Sequence, residues 1–195
     1  MPSLRHKAGP DDELLDAARH CILAVGWRRT TLTDVARRAG VSRMTIYRRW
    51  QDMQSLLADL MTREWSGVVE DGALDAGASP LDRLVGGVAA TVAALRDNEL
   101  FRRIVHVDPE LLLPYLLDRR GRSQDAILAL LEAAIAEGQK DGAIRDGEPT
   151  VLARSIMLSA HGFAISAETM ADERGPSVEQ LDHELRELTW RYLRP

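Results

Sequence analysis

Arg43, Met44, Thr45, Tyr47, Arg48 and Arg49 fall within seven residues of the stretch TLTDVARRAGVSRMTIYRRW, Thr31 to Trp50. Their chemistry is recognition rather than catalysis. An arginine can fork onto the O6 and N7 of guanine, and a threonine can offer its hydroxyl or methyl to thymine. Tyr47, Arg48 and Arg49, with the hydroxyls of Thr31, Thr33 and Ser42, suit phosphate oxygens, which fix register without reading sequence. Elsewhere no catalytic set assembles. His106, His161 and His183 lack a glutamate three residues earlier, and the chain has no His-Glu-x-x-His, no P-loop and no dinucleotide glycine fingerprint. Asp182-His183-Glu184 is expected on the solvated outer face of the last helix. We therefore expect no enzyme, no metal and no cofactor.

The elements around the arginine cluster explain how it would be aimed. Thr31-x-x-Asp34 has the form of a capping box, which opens a helix by satisfying orphan amides. Leu32, Val35, Ala36 and Ala39 then share one face, and Gly40 stands where a left-handed C-cap residue belongs. Ser42 is a second N-cap, and Val41 and Ile46 are spaced as a hydrophobic staple. Helix, glycine turn and helix make a helix-turn-helix, whose second helix enters the major groove with Arg43, Met44 and Thr45 toward the bases. Asp11 to Val25 reads as a preceding helix with Leu14, Ala18, Cys21, Ile22 and Val25 inward, ended by Gly26. Trp27 is expected to plug the core of this head, and Arg28 and Arg29 to face phosphate.

The run TLTDVARRAGVSRMTIYRRWQDMQSLL resembles the DNA-binding signature of the TetR family of transcriptional regulators. Val35-Ala36, Ala39-Gly40-Val41-Ser42, Tyr47 and the aromatic Trp50 carry the likeness. Two positions depart from the family pattern: Trp50 replaces the usual phenylalanine, and Met53 replaces a lysine that often touches phosphate. The resemblance implies a homodimeric repressor that binds a near-palindromic double-stranded DNA operator and is released by a small-molecule effector. The alternatives are an architectural DNA binder without an effector, or a helical carrier or enzyme with a vestigial head.

Composition agrees with that division of labour. The net charge of −5 looks wrong for a DNA binder until it is split. Residues 1–50 carry ten Arg or Lys against five acids, net +5, leaving 15 against 25, or −10, for the remainder. A basic head on an acidic body is expected if only the head meets phosphate. The single cysteine, Cys21, fits a reducing cytoplasm, and the short polar N-terminus shows no secretory pattern. No apolar run is long enough to span a bilayer, so no membrane partner is expected.

The predicted fold class is all-α: a three-helix head over residues 1–55, continuous through a long fourth helix with a helical ligand-binding and dimerisation body over 56–195. Leu56, Leu57, Leu60 and Met61 should face inward on that fourth helix. Glu70 to Ser79 reads as a loop, and Ser79-Pro80 as the start of a helix whose apolar stripe is Leu81, Leu84, Val85, Val88, Val92 and Leu95. Asp108-Pro109 and Pro114 should break the helix after His106. Ser123 to Gln139 is amphipathic through Ile127, Leu130, Leu131, Ala134 and Ile135. Trp65, His106, Tyr115, Met157, His161 and Phe163 are the candidate cavity residues, offering apolar walls with a few polar tips. Ser155, Ser159, Gly162 and Ser166 form a small-residue stripe. Val178, Leu181, Leu185, Leu188 and Tyr192 form a heptad-like seam. The resemblance implies that these two helices pair with their copies in a second subunit.

Overall fold

The computed structural model describes residues 10–71 and 78–195. Nine α-helices lie among the described residues: α1 (Pro10–Val25), α2 (Leu32–Arg38), α3 (Arg43–Arg49), α4 (Met53–Asp71), α5 (Pro80–Asp97), α6 (Glu99–Val107), α7 (Arg122–Lys140), α8 (Pro149–Met170) and α9 (Val178–Leu193). No strand occurs among the described residues, and the chain is all-α as its periodicity predicts. The loop expected over Glu70–Ser79 lies largely outside the described residues; its first two positions continue α4.

Local chemistry sets the helix starts. Ser79, Asn98 and Ser177 each accept an amide of their own first turn, from Asp82, Phe101 and Gln180, so three of the orphan donors are met within a few residues. Asp52 does the same for α4, and the Ser55 amide on its carboxylate holds the Asp52 pKa below the usual range. Between α6 and α7 the prolines break the helix as expected, into a 3-10 turn (Pro109–Leu111) and a π turn (Pro114–Asp118).

The head packs around Ala18 and Ile22 of α1, Val35 and Ala36 of α2, and Ile46 and Trp50 of α3 and its cap. Val25, expected inward, is exposed, and Trp27 is only half-buried against this core. The head's core does not close at residue 55. Leu56, Leu57, Leu60 and Met61 of α4, Leu100 and Ile104 of α6, and Leu112 all belong to it. Two helices of the body are therefore built into the head.

A second core joins α5, α7, α8 and α9 through Leu84, Val88, Leu128, Ile135, Ile156 and Leu193. Gly138 of α7 is a close-approach glycine: a Cβ there would sit 2.6 Å from Ile144 Cδ1, and Ile144 is fully buried against it. On α7 Leu128 and Ile135 are buried, and Ile127, Leu131 and Ala134 pack partly buried against the same core. Leu130, expected inward, is 58% exposed and lies at a cavity wall.

Two expectations for α9 are corrected. Asp182 is not on a solvated face; its carboxylate pairs with the buried guanidinium of Arg96 on α5, whose Nη1 also donates to the Phe163 carbonyl at 3.3 Å. Leu185 is fully buried against its own chain, with Val92, Phe101 and Ala164, so its place in the seam is already filled. An apolar residue at that spacing looks the same in sequence whether its cover comes from its own chain or from another.

Removing one partner of a buried ion pair leaves an uncompensated charge, whereas removing both does not. Asp182→Asn is expected to cost about 3 kcal/mol of unfolding free energy, and Arg96→Met with Asp182→Leu to restore most of it. Urea titration measures both; equal losses in the single and double variants would show that the pair is not the relevant unit.

Candidate nucleic-acid interface and ligand cavity

The helix-turn-helix is assembled by its own short-range bonds. The Asp34 amide donates to Thr31 Oγ1 at 3.2 Å and the Thr31 amide to Asp34 Oδ2 at 3.2 Å, completing the capping box. The Thr31 hydroxyl bonded to Asp34 holds that carboxyl below its usual pKa range. At the other end of α2, Gly40 adopts φ +70°, Val41 N–H reaches the Ala36 carbonyl at 3.0 Å and Gly40 N–H the Arg37 carbonyl at 3.3 Å. That is a Schellman turn, and only glycine takes this left-handed position without strain. Ser42 then caps α3, accepting the Thr45 amide at 3.1 Å.

This geometry sorts the six side chains of the arginine-rich helix. Arg43, Met44, Tyr47 and Arg48 form one outward stripe, at the i, i+1, i+4, i+5 positions of a helix, with Met44 77% and Tyr47 50% exposed. Ile46 points the other way and is fully buried. Thr45 is half-buried, and its hydroxyl lies 2.9 Å from that of Ser42, inside the cap rather than free. Arg49 turns toward α1 and pairs with Asp11. Thr31 is exposed but commits its hydroxyl to Asp34, and Thr33 is half-buried on the first turn of α2. Arg28, expected to face phosphate, pairs instead with Glu110 at 2.8 Å. Arg29, Arg43 and Arg48 are exposed and make no hydrogen bond or ion pair among the described residues.

Trp50 explains itself. It is buried at the C-cap of α3, and its indole N–H donates to Asp59 Oδ2 of α4 at 2.8 Å. A buried indole needs such an acceptor, and a phenylalanine would not. Asp59 Oδ1 in turn pairs with Arg122 at the start of α7. The substitution thus comes with a polar tie from the recognition helix through α4 to the body.

In the body a cavity of about 310 Å³ lies between α4, α5, α7 and α8, closed at one side by Leu112, Tyr115 and Leu116 of the broken segment. Of the candidate residues, Trp65, Tyr115, Met157 and His161 line it. His106 and Phe163 do not. His106 is exposed, its Nε2 3.4 Å from Glu168 Oε2, and Phe163 packs in the small core with Val92 and Leu185. Sequence reasoning missed Arg83, Thr91 and Gln124, which also line the cavity. The stripe Arg83, Gly87, Thr91, Leu95 at fourfold spacing on α5 was a legible signal for two of them. Gln124 had none.

Gln124 faces His161. Its Oε1 accepts the Gly121 amide at 2.8 Å, which turns Nε2 toward the Tyr115 carbonyl at 3.3 Å and His161 Nε2 at 3.4 Å. An amide N–H facing that ring nitrogen suits a lone pair on it, an arrangement that favours the neutral imidazole. Burial lowers the His161 pKa from 6.5, in the same direction. Among the described residues no three or more His, Cys, Asp or Glu are grouped to hold a metal ion, and no helix is long and apolar enough to cross a membrane.

The outward face of α8 carries three exposed apolar side chains, Val151 58%, Leu158 72% and Met170 65%, beside the exposed Arg154, and α9 adds Leu188. Ser159 and Gly162 are exposed on it, and Ser155 and Ser166 half-buried. A Cβ on Gly162 would meet nothing within 4 Å, so no contact in this chain requires glycine there. Val178 and Leu181 are half-buried, and Tyr192 packs on the second core beneath the Arg145 guanidinium.

Comparison with known proteins agrees with this geometry. The family described as bacterial regulatory proteins, tetR family, matches residues 14–60. An uncharacterized HTH-type transcriptional regulator of Mycobacterium bovis is 34% identical over 162 residues, 83% of this chain and 84% of that protein. The transcriptional repressor QsdR of R. erythropolis superposes with a TM-score of 0.68 at 14% identity, covering 95% of this chain and 96% of that one. SmeT, solved in complex with triclosan, superposes with a TM-score of 0.63 at 22% identity, covering 95% and 92%.

The lowered His161 pKa has a defined pH signature. Its folded value lies below the unfolded 6.5, so the neutral ring's contribution is complete above 6.5 and is lost as pH falls toward the folded value, because the unfolded chain binds the extra proton. His161→Gln is expected to flatten the fall in thermal stability below pH 6.5. An unchanged slope would place the acid sensitivity elsewhere.

Proposed function

This chain belongs to the TetR family of bacterial regulatory proteins, and we propose that it is a homodimeric cytoplasmic repressor, released from a near-palindromic operator by a small molecule bound in its body. The observation that carries the DNA-binding part is the outward stripe of Arg43, Met44, Tyr47 and Arg48 on a helix whose opposite face is locked into the head. Arg43 and Met44 lead the helix and are assigned to the bases, with Thr45 turned into the cap and left to a methyl contact at most. Tyr47 and Arg48 are assigned to phosphate. Arg49 and Arg28 are paired but exposed, and such surface pairs are weak enough to exchange for phosphate. Thr31, Thr33 and Ser42 serve chiefly through the amides that their helix starts present.

Effector release is supported by how the cavity meets the head. Leu112 lines the cavity and also belongs to the head's core. Four residues before it, buried Asp108 accepts the Trp27 amide at 3.3 Å, and Glu110 holds Arg28. α4 carries cavity residues Ala58, Met61 and Trp65 on the same helix whose Asp59 holds Trp50. A ligand that moves α4 or the broken segment therefore moves the recognition helix. Dimerisation is supported by the exposed apolar side chains of α8 with Leu188, and by Gly162, which opens onto free space. Two heads would then sit about 34 Å apart, or a multiple of it.

Two measurements test this. Capture and sequencing of fragmented genomic DNA by the purified chain at near-physiological salt is expected to return a sharp, near-palindromic site; enrichment without a shared motif would favour an architectural binder. On that site Arg43→Ala should cost about 1–3 kcal/mol and relax one base position. Arg48→Ala should weaken all sequences alike and reduce the salt slope by about one. Equal losses on specific and random duplexes for both variants would sink the assignment of bases to one arginine and phosphate to the other.

A further inference from the structure

The cavity runs along much of α5. Its wall on α5 runs from Arg83 through Gly87 and Thr91 to Leu95, twelve residues apart end to end, which is roughly 18 Å of helix at 1.5 Å per residue. The cavity has a volume of about 310 Å³ and an overwhelmingly apolar lining along that wall, which suits an extended apolar chain. With carbon–carbon bonds of about 1.5 Å, each advancing about 1.3 Å along a zigzag, this length holds about 12 to 14 carbons.

Its charge is one-sided. No aspartate or glutamate lines it among the described residues. Arg122 lines it but is paired with Asp59, and His161 is neutral. That leaves Arg83, half-buried near the start of α5, as the one uncompensated charge on its wall among the described residues. Arg83 Nη1 donates to the Ala78 carbonyl at 2.6 Å, which anchors the side chain, and its other N–H groups have no partner among the described residues. A guanidinium held at an apolar wall without a carboxylate is stabilised by any anion that reaches it, and a carboxylate matches its fork.

Resting on the effector reading above, we propose that the ligand is a medium-to-long-chain carboxylate, its head group on Arg83 and its alkyl chain lying along α5 toward Thr91 and Leu95. The neutral pair Gln124 and His161 offers hydrogen bonds but no charge, so the anionic end belongs to Arg83.

Isothermal titration of the full chain with dodecanoate, dodecanol and hexanoate tests this without DNA. Dodecanoate should bind about ten- to hundredfold more tightly than dodecanol, the worth of a charge-assisted bond, and more tightly than hexanoate. Arg83→Met should remove the preference for the carboxylate, and dodecanol binding that persists within a few-fold reports that the cavity is intact. Equal binding of dodecanoate and dodecanol to the wild type overturns the proposal, as does an equal loss of both in Arg83→Met. Absence of binding by all three ligands, with operator binding retained, overturns the ligand class alone and leaves the regulator standing. Dodecanoate binding with no operator found does the reverse.

Discussion

A seven-residue recognition helix cannot hold itself together. Nucleation fixes several residues before propagation repays it, and isolated helices of this length are not stable in water. The direction of α3 therefore depends on what its buried side does: Ile46 fully buried in the head, Trp50 sealed into the same core, and the Trp50 indole bonded to Asp59. The outward stripe of Arg43, Met44, Tyr47 and Arg48 exists because the inward one is fixed. Recognition here is a consequence of packing on the far side of the same helix.

That dependence extends into the body because the head's core has no boundary. α4 and α6 donate Leu56, Leu60, Leu100 and Ile104 to it, and Leu112 belongs to it while facing the cavity. A protein whose two halves share apolar surface cannot change the shape of one without loading the other, since close-packed interiors transmit displacement rather than absorb it. The polar contacts lie on the same route. Asp59 links Trp50 to Arg122, Glu110 links Arg28 to the broken segment, and Asp108 accepts the Trp27 amide. The prolines at 109 and 114 keep that segment from becoming one straight helix, so its end can serve both the head and the cavity wall.

Buried charge is used sparingly and in contrasting ways. Arg96 is buried with a carboxylate and a carbonyl for company, and it ties α5 to α8 and α9. Arg83, on the same helix, has only a carbonyl for a partner among the described residues and lines the cavity. The first arrangement is a buried ion pair within the chain; the second is the charge assigned above to an anionic ligand. On the outward face of α8, Val151, Leu158 and Met170 are apolar side chains left exposed among the described residues.

The sequence by itself determined the local features. The Thr31–Asp34 capping box, the left-handed Gly40, the Ser42 cap and the break at Pro109 and Pro114 follow from bonds and dihedrals within a few residues, so residue type and spacing were enough to place them. Helical periodicity likewise marked most of the inward faces of α4 and α5. Only the tertiary structure decided which groups meet across the fold. Asp182 looked solvated because its own helix gives it no partner, and Arg96 lies 86 residues away. Leu185 and Leu188 share one apolar spacing, yet the first is covered by α5 and α6 and the second is left bare. His106 and Phe163 had the right chemistry for a cavity and the wrong direction, while Gln124 acquired a role only through what stands opposite it. Periodicity fixes a face relative to its own helix axis; what covers that face depends on how several axes cross, and that is set by the whole core at once.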